Sequence, residues 1–572
     1  MKKVTFLFSF LMIISFALSA GGSQESEQNK IDERVGEGYL YKYEPAITLT
    51  GNRIARSEVD FINNPYTKWA SETLGINYEL KWLAPDADTE RQKLTLAMAS
   101  NDLPDIVSIE AGDLFSRMVN SGILLPLDDL IEEYGSPLTK AMIKMYQDAL
   151  DDNFFSLFTV DGKIYAFPEA SDIFAANWKT LWMRQDILDE MNLDAPETIA
   201  EFETVLEKYK NTYPDGVGFI SNAGDSNGMI PIMEAYGAFQ YKWIKDSAGN
   251  LAYGSIQPEM KNALETLSRW YQLGYFDKEY FIKDDTKNRE PLLAGNGLSV
   301  YGNWWYVLWP FPDMWTNVPT AEMTPLLPLI GPDGQQSIMH DISNGYFNSG
   351  RAISSSCKNP EALIYLLNEE LDSHFRYNKE LREQMAALGY DFKYGYEEWT
   401  SPVNPDADPK DQKWNYKIEG PDKFWNTFVE NPVHLSFGFK YNEGPFDLFS
   451  RYVVTGEAYR NDNLESLSKP DYIDYEKYFS TPSNKMNAHV KNVENYDFIK
   501  NSDIIIFNEF TTVPTDTMID KRAYLDKIEE EYFTKIITGA LPLSSFDTFI
   551  EEWNKAGGSQ ITTEVNEWNN SK

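Results

Sequence analysis

The stretch Asp161–Leu188, DGKIYAFPEASDIFAANWKTLWMRQDIL, constrains the fold more than any other part of the chain. Asp161-Gly162 is a turn pair, and Ile164–Phe167 is a short run of β-branched and aromatic residues. Pro168 lacks a backbone donor, so the strand is expected to stop there. Phe174, Trp178 and Trp182 follow at intervals of four, which shares one face if the segment is helical. Arg184, Asp186 and the apolar Ile187-Leu188 come next. The segment reads as chain passing from one lobe to another and carrying aromatic side chains to the junction. A strand followed by an ordinary core helix is the competing reading.

Around this stretch, helix and strand signals alternate in the α/β manner. Ala46–Thr50 and Ile76–Trp82 look like strands, the second with Ile76, Tyr78, Leu80 and Trp82 on one face. Thr67–Leu74 and Thr89–Ser100 read as helices, and Asp105-Ile106-Val107 as a buried strand. Gly122–Asp128 is a turn into a helix over Asp129–Tyr134. Thr198 and Glu201 form a capping box before the apolar stripe Ile199, Phe202, Val205 and Leu206. Pro258–Leu273 has Pro at its first position and Gly274 just past its end. Leu298–Tyr301 is a strand, and Asn359-Pro360 opens a further helix. Arg376–Asp422 is charged, aromatic and irregular. Leu541–Trp553 closes the core pattern, with Ser545 as a cap and Phe546, Phe549, Ile550 and Trp553 on one face.

At 572 residues the chain exceeds one ordinary core, so two or more lobes are expected. A net charge of −37 repels phosphate backbones and anionic lipid, which argues against a nucleic-acid partner. The single Cys357 forbids an intramolecular disulfide. His340, His374, His434 and His489 are scattered and form no tight ligand pair. Aromatic residues make up 14%, a surplus that suits either flat carbohydrate faces or a large aromatic core.

Met1–Ala20 has Lys2 and Lys3, an apolar run, and the small residues Ala17, Ser19 and Ala20 at its end. These are the three parts of a secretory signal peptide, so export is expected. A membrane anchor is the alternative, although the apolar run is short. Residues 21–45 begin as a polar leader, and no Cys follows the apolar run to take a lipid. The protein is then periplasmic, or extracytoplasmic and membrane-associated.

Lys93–Leu127, KLTLAMASNDLPDIVSIEAGDLFSRMVNSGILLPL, resembles the first lobe of the family 1 extracellular solute-binding proteins, the receptors of ABC importers. Asp161–Pro168, Leu181–Leu206, Gly254–Phe281 and Ile536–Trp568 resemble later segments of the large-receptor branch, in the same order. The resemblance implies an α/β, two-lobed periplasmic binding protein-like fold, with a hinge and an interlobe cleft that closes on a ligand. It implies one lobe from 46–168 with 325–375 and another from 169–324 with 376–572. The partners it implies are a sugar or oligosaccharide and ABC permease subunits, with the receptor as a monomer. No cofactor and no metal are expected. Some receptors of this branch carry a calcium loop after the hinge, but Asn211–Phe219 offers only Asp215 as a carboxylate. Asp406, Asp408 and Asp411 are interrupted by Lys410 and read as a solvated loop.

In related receptors a Trp after a strand stacks on sugar, and Gly302–Trp309 (GNWWYVLW) places Trp304, Trp305 and Trp309 after one. Trp178 is a further stacking candidate. Glu110 and Asp113 follow the strand near Asp105–Ser108, where strand carboxyl ends present ligand groups. Asp113 also suits a helix cap or solvated loop. His340, Asp341, Asn344 and Tyr346 gather polar and aromatic groups in one loop. The function expected is a transport receptor. A secreted glycoside hydrolase is the rival, because acidic pairs such as Glu397-Glu398 and Glu551-Glu552 occur, but hydrolysis needs two carboxyls at a set separation. A sensor subunit of the same fold is the third reading.

Overall fold

The computed structural model describes residues 30–31, 41–54, 67, 70–137, 139–140, 143–144, 147, 154–168, 179–220, 229–307, 310–340, 349–368, 488, 491–492, 494–495, 498–499 and 502–572. The chain divides into two compact units. One comprises residues 1–108, 122–145 and 351–434; the other comprises 109–121, 146–350 and 435–572. The chain passes between them within the strands Ile106–Glu110 and Ser349–Ile353.

In the first unit, Ile47–Ile54 pairs in parallel with Ile76–Ala84. Ile76 and Tyr78 are buried and Glu79 and Lys81 exposed, so the alternation in the sequence sets which face packs. Asp86 caps the helix Ala87–Ser100 by accepting from the Thr89 N–H at 2.7 Å, and Asn101 ends it in a left-handed conformation. Asp105 ties two strands together: its carboxylate accepts from the Thr50 N–H at 2.8 Å and the Thr50 hydroxyl at 2.7 Å. Buried Glu90 accepts from the Asn52 amide and from the Trp82 indole N–H. Burial raises its pKa, against those hydrogen bonds. The helical reading of Thr67–Leu74 is met at Thr67 and as a π-type turn over Ala70–Leu74.

The second unit is built on a four-stranded mixed sheet ordered Val217–Ile220, Gly297–Asn303, Lys179–Arg184, Met323–Leu326. The first pair is parallel and the other two antiparallel. This corrects the helical reading of the aromatic spacing at its last member: Trp182 is on a strand. Phe174 and Trp178 lie outside the described residues. Trp182 is fully buried and meets Phe311 edge-on at 5.3 Å. The physical reason is two-sided burial. Leu181, Met183 and Leu298 pack into one apolar cluster, while Trp182 and Val300 pack into another on the opposite face. A strand covered on both faces reads as a continuous apolar run, without the alternation that marks a half-buried strand.

The helices Ile199–Thr212 and Pro258–Leu273 cover the first face, through Phe202, Leu206, Leu264 and Trp270. Thr198 and Glu201 form the expected capping box, and Gly274 closes the second helix at φ 75°. Arg184 is buried and donates bidentately to Asp186, at 2.7 and 2.6 Å. Such a planar fork satisfies a charge that burial would otherwise penalise. Three C-terminal helices complete this core: Asp516–Ile537, Ser545–Trp553 and Ser559–Ser571. Phe546, Phe549 and Trp553 are buried as their spacing implies, but Ser545 is the first helical residue and Ser544 occupies the cap without a side-chain bond. The core pattern also runs past Trp553. Gly557, at φ 142°, turns the chain so that Ile561 and Val565 return to the same cluster. None of the described helices is both long and apolar enough to cross a membrane.

Asp516–Ile537 carries Glu529 into this core with no exposed surface. Gln240 Nε2 and the Tyr253 hydroxyl donate to its two oxygens, each at 3.0 Å. Burial outweighs these donors and pushes the carboxyl up to about 8. The folded state therefore holds a proton that an unfolded glutamate, near pH 4.5, has lost. The stabilising contribution is full below pH 4.5 and is lost as pH rises through 8, at a scale on the order of 5 kcal/mol. Thermal unfolding of the wild type should shift to lower temperature between pH 5 and 8, and Glu529→Gln should flatten that slope. An unchanged slope in the variant would contradict the assignment. Thr198→Ala should cost about 1 kcal/mol in urea unfolding, the usual loss of a capping side chain.

Candidate functional site

The register of the second unit's sheet brings together chain segments far apart in sequence. Lys179 pairs with Asn303, and Thr180 with Gly302. Trp178 immediately precedes Lys179, and Trp304 immediately follows Asn303. Trp304 and Trp305 open a 3-10 turn, Trp304–Val307. Gly302 is required just before it, because a Cβ there would lie 2.0 Å from the Tyr306 ring. Lys179, Tyr301, Ile338 and Glu234 line one small recess of about 20 Å³. Ile338–His340 is a strand that ends one residue before Asp341. Lys179 beside Trp178, Tyr301 three residues before Trp304, and Ile338 three residues before Asp341 thus line one recess. Trp178, Trp309, Asp341, Asn344 and Tyr346 themselves lie outside the described residues. His340 is buried within its strand, and its ring meets Phe507 edge-on at 5.5 Å.

Glu234 holds the floor of the recess. Its carboxylate accepts from the Met339 N–H at 3.0 Å, and its backbone carbonyl accepts from the Ser337 hydroxyl at 2.5 Å. Burial pushes the carboxyl up to about 8, opposed by the Met339 hydrogen bond and by the charges of Lys242 and Lys179. Nothing in the sequence separates Glu234 from the many other acids of the chain; only its enclosure does.

A larger cavity, of about 220 Å³, lies in the same unit. Its walls include Tyr241, Trp243, Asn508, Phe510, Arg522 and Asp526. Asn508 organises one side: its side-chain oxygen accepts from the Trp243 N–H at 3.0 Å, and its own N–H donates to the His340 carbonyl at 2.9 Å. The strand Ile338–His340, which borders the recess, pairs in parallel with Ile505–Phe507, which leads into Asn508. Recess and cavity are thus joined through one strand pair.

Ala111 and Gly112 also line the cavity. They sit between two residues singled out in the sequence. Glu110 is exposed at the carboxyl end of Ile106–Glu110. Asp113 begins the helix Asp113–Asn120 and approaches Arg117 at 3.5 Å. Tyr241, Trp243, Arg522 and Asp526 were not singled out by sequence. The signal available was faint: a short aromatic strand, YKWIK, and an Arg–Asp pair four apart on a helix. Among the described residues no group of three or more His, Cys, Asp or Glu is placed to hold a metal ion. In the loop after Thr212, Lys210 Nζ donates to the Pro214 carbonyl at 2.6 Å.

Residues 66–362, more than half of the chain, match the family described as bacterial extracellular solute-binding protein. The polygalacturonan/rhamnogalacturonan-binding protein YtcQ of Bacillus subtilis (strain 168) is 23% identical over 507 residues, covering 86% of this chain and 84% of that protein. The crystal structure of the alginate-binding protein AlgQ2 without calcium ion superposes with a TM-score of 0.60 at 16% identity, over 92% of this chain and 99% of that one. The S. pneumoniae ABC-transporter substrate-binding protein FusA in complex with kestose gives a TM-score of 0.59 at 16% identity, with the same coverage of each chain. The α/β fold is therefore that of periplasmic-type solute-binding proteins, as the segment order in the sequence implied. This chain belongs to the bacterial extracellular solute-binding proteins and is a non-catalytic receptor of an ABC transporter.

Proposed function

We propose that this receptor captures an oligosaccharide against the sheet ends around Glu234 and hands it to the permease subunits of its transporter chemically unchanged. The observation that carries the reading is that Lys179, Tyr301 and Ile338, close in sequence to Trp178, to Trp304 and Trp305, and to Asp341, line one recess. Flat indole faces bury sugar C–H groups, and carboxylates hold the hydroxyls. Relatives named for binding polygalacturonan/rhamnogalacturonan, alginate and kestose support a carbohydrate ligand. In this reading Glu110 and Asp113 supply polar groups beside Ala111-Gly112, and Trp309 and Tyr346 extend the aromatic surface. Met1–Ala20 directs export, and the receptor works as a monomer outside the membrane.

A ligand that binds only the folded form raises its melting point, by about 2.7 kcal/mol of stabilisation at a hundred times Kd. A thermal-shift screen over mono- and oligosaccharides should therefore give a rise of a few degrees with at least one oligosaccharide. Trp304→Ala or Trp305→Ala should weaken that binding at least tenfold, and the saccharide should be recovered intact after incubation. No shift with any saccharide would assign the receptor to another solute class.

A further inference from the structure

Two of the points at which the chain changes unit fall inside strands that are neighbours in one sheet. Ser108 ends one stretch of the first unit, and Arg351 begins another. Their strands, Ile106–Glu110 and Ser349–Ile353, lie side by side. A further crossing, Ser121-Gly122, is a turn with Gly122 at φ 72°. Compact units joined by a few connections move relative to one another by default, and a few residues absorb the change of direction. The two sides of the strand crossing are held in different ways.

On the first unit's side the side-chain bonds are directional and enclosed. Gly51 of Ile47–Ile54 pairs with Ile106, and the ladder of Ile47–Ile54 with Ile76–Ala84 shifts register between Gly51 and Asn52. There the Asn52 side chain takes the place of a backbone partner. Its Oδ1 accepts from the Ser108 N–H at 2.9 Å, and its Nδ2 donates to the Ser108 carbonyl at 2.8 Å. The same amide donates to Glu90, whose other oxygen accepts from the Trp82 indole N–H at 2.8 Å. Arg351 Nη1 donates to the Ser108 hydroxyl at 2.9 Å and so ties the second crossing strand to the first. Three residues on, the Ser354 N–H donates to the Asp105 carbonyl at 2.9 Å. Asn52 and Arg351 are 1% and 2% exposed, so breaking these bonds leaves buried polar groups unpaired, at the full cost of their desolvation. Past the crossing the side-chain contacts are apolar. Ile109 is buried, and Gly350 lies against Phe158, where a Cβ would come within 2.8 Å of the ring. Phe158 in turn meets Phe115 edge-on at 5.2 Å. Apolar contact is non-directional and tolerates sliding better than a hydrogen bond does.

We propose that Asn52, Ser108 and Arg351 form a fixed block, so that movement between the two units is taken up at Ile109 and Gly350 and not at Ser108 or Arg351. These are positioning residues. By confining the units to one line of movement they keep a large fraction of molecules competent to bind, and apparent affinity scales with that fraction. The proposal needs no assignment of the ligand, and its test uses none. Nitroxide labels at Gln92→Cys on Ala87–Ser100 and Glu265→Cys on Pro258–Leu273, both exposed, in a Cys357→Ala background, give the distance distribution between units by pulsed electron paramagnetic resonance. Arg351→Met and Asn52→Leu should each broaden that distribution, roughly twofold in width, as further orientations become populated. Ser108→Ala removes the acceptor of Arg351 and leaves both Asn52 bonds to the backbone in place, so it should broaden the distribution even where a buried variant fails to fold. Thr198→Ala, a destabilising change away from the crossing, should leave the width unchanged. Gly350→Ala, which presses a Cβ on the Phe158 ring, should shift the mean distance. An unchanged width in every network variant that folds, or equal broadening by Thr198→Ala, would overturn the fixed block. An unchanged distribution in Gly350→Ala would overturn the place assigned to the movement.

Discussion

The pairing of Lys179–Arg184 with Gly297–Asn303 is the constraint on which the proposed binding surface depends. Side chains alternate along a strand, so a slip of one residue along Lys179–Arg184 would exchange Trp182 for Leu181 or Met183 between the two apolar clusters. Burial on both faces fixes the register against that slip. The register in turn fixes where the chain leaves the sheet, at Lys179 on one strand and Asn303 on its neighbour. The core thus positions the residues that adjoin Trp178 and Trp304.

Two buried glutamates sit behind this arrangement. Glu234 ties a short helix to Met339, and Glu529 ties the long C-terminal helix to Gln240 and Tyr253. A hydrophobic residue at either place would pack without leaving a charge to desolvate. The carboxyls instead supply directional bonds that hold Met339 and Tyr253, whose strands border the recess and the cavity. Stability at high pH is given up for fixed geometry at those walls.

Much of the scaffold was legible in the sequence, because local chemistry decided it. Asp86, Thr198 and Gly274 mark helix ends through side-chain caps and a left-handed glycine. The aromatic stretch was misread at Trp182, because a strand buried on both faces lacks the alternation that separates strand from helix. Ser545 failed as a cap because the chain enters that helix one residue earlier. The site was legible only in outline. Trp178 and Trp304 are far apart in sequence, and only the strand register shows that the residues beside them, Lys179 and Asn303, are paired. Tyr241, Trp243, Arg522 and Asp526 form a cavity by long-range packing between Asp516–Ile537 and a hairpin more than 250 residues earlier, which no local pattern encodes.

The claim that the sheet ends form the ligand platform is tested most directly by amide hydrogen exchange with and without a bound oligosaccharide. The account predicts slowed exchange in three separate segments together, around residues 179–181, 300–305 and 338–340. Protection confined to other parts of the chain, with these three segments unchanged, would contradict it.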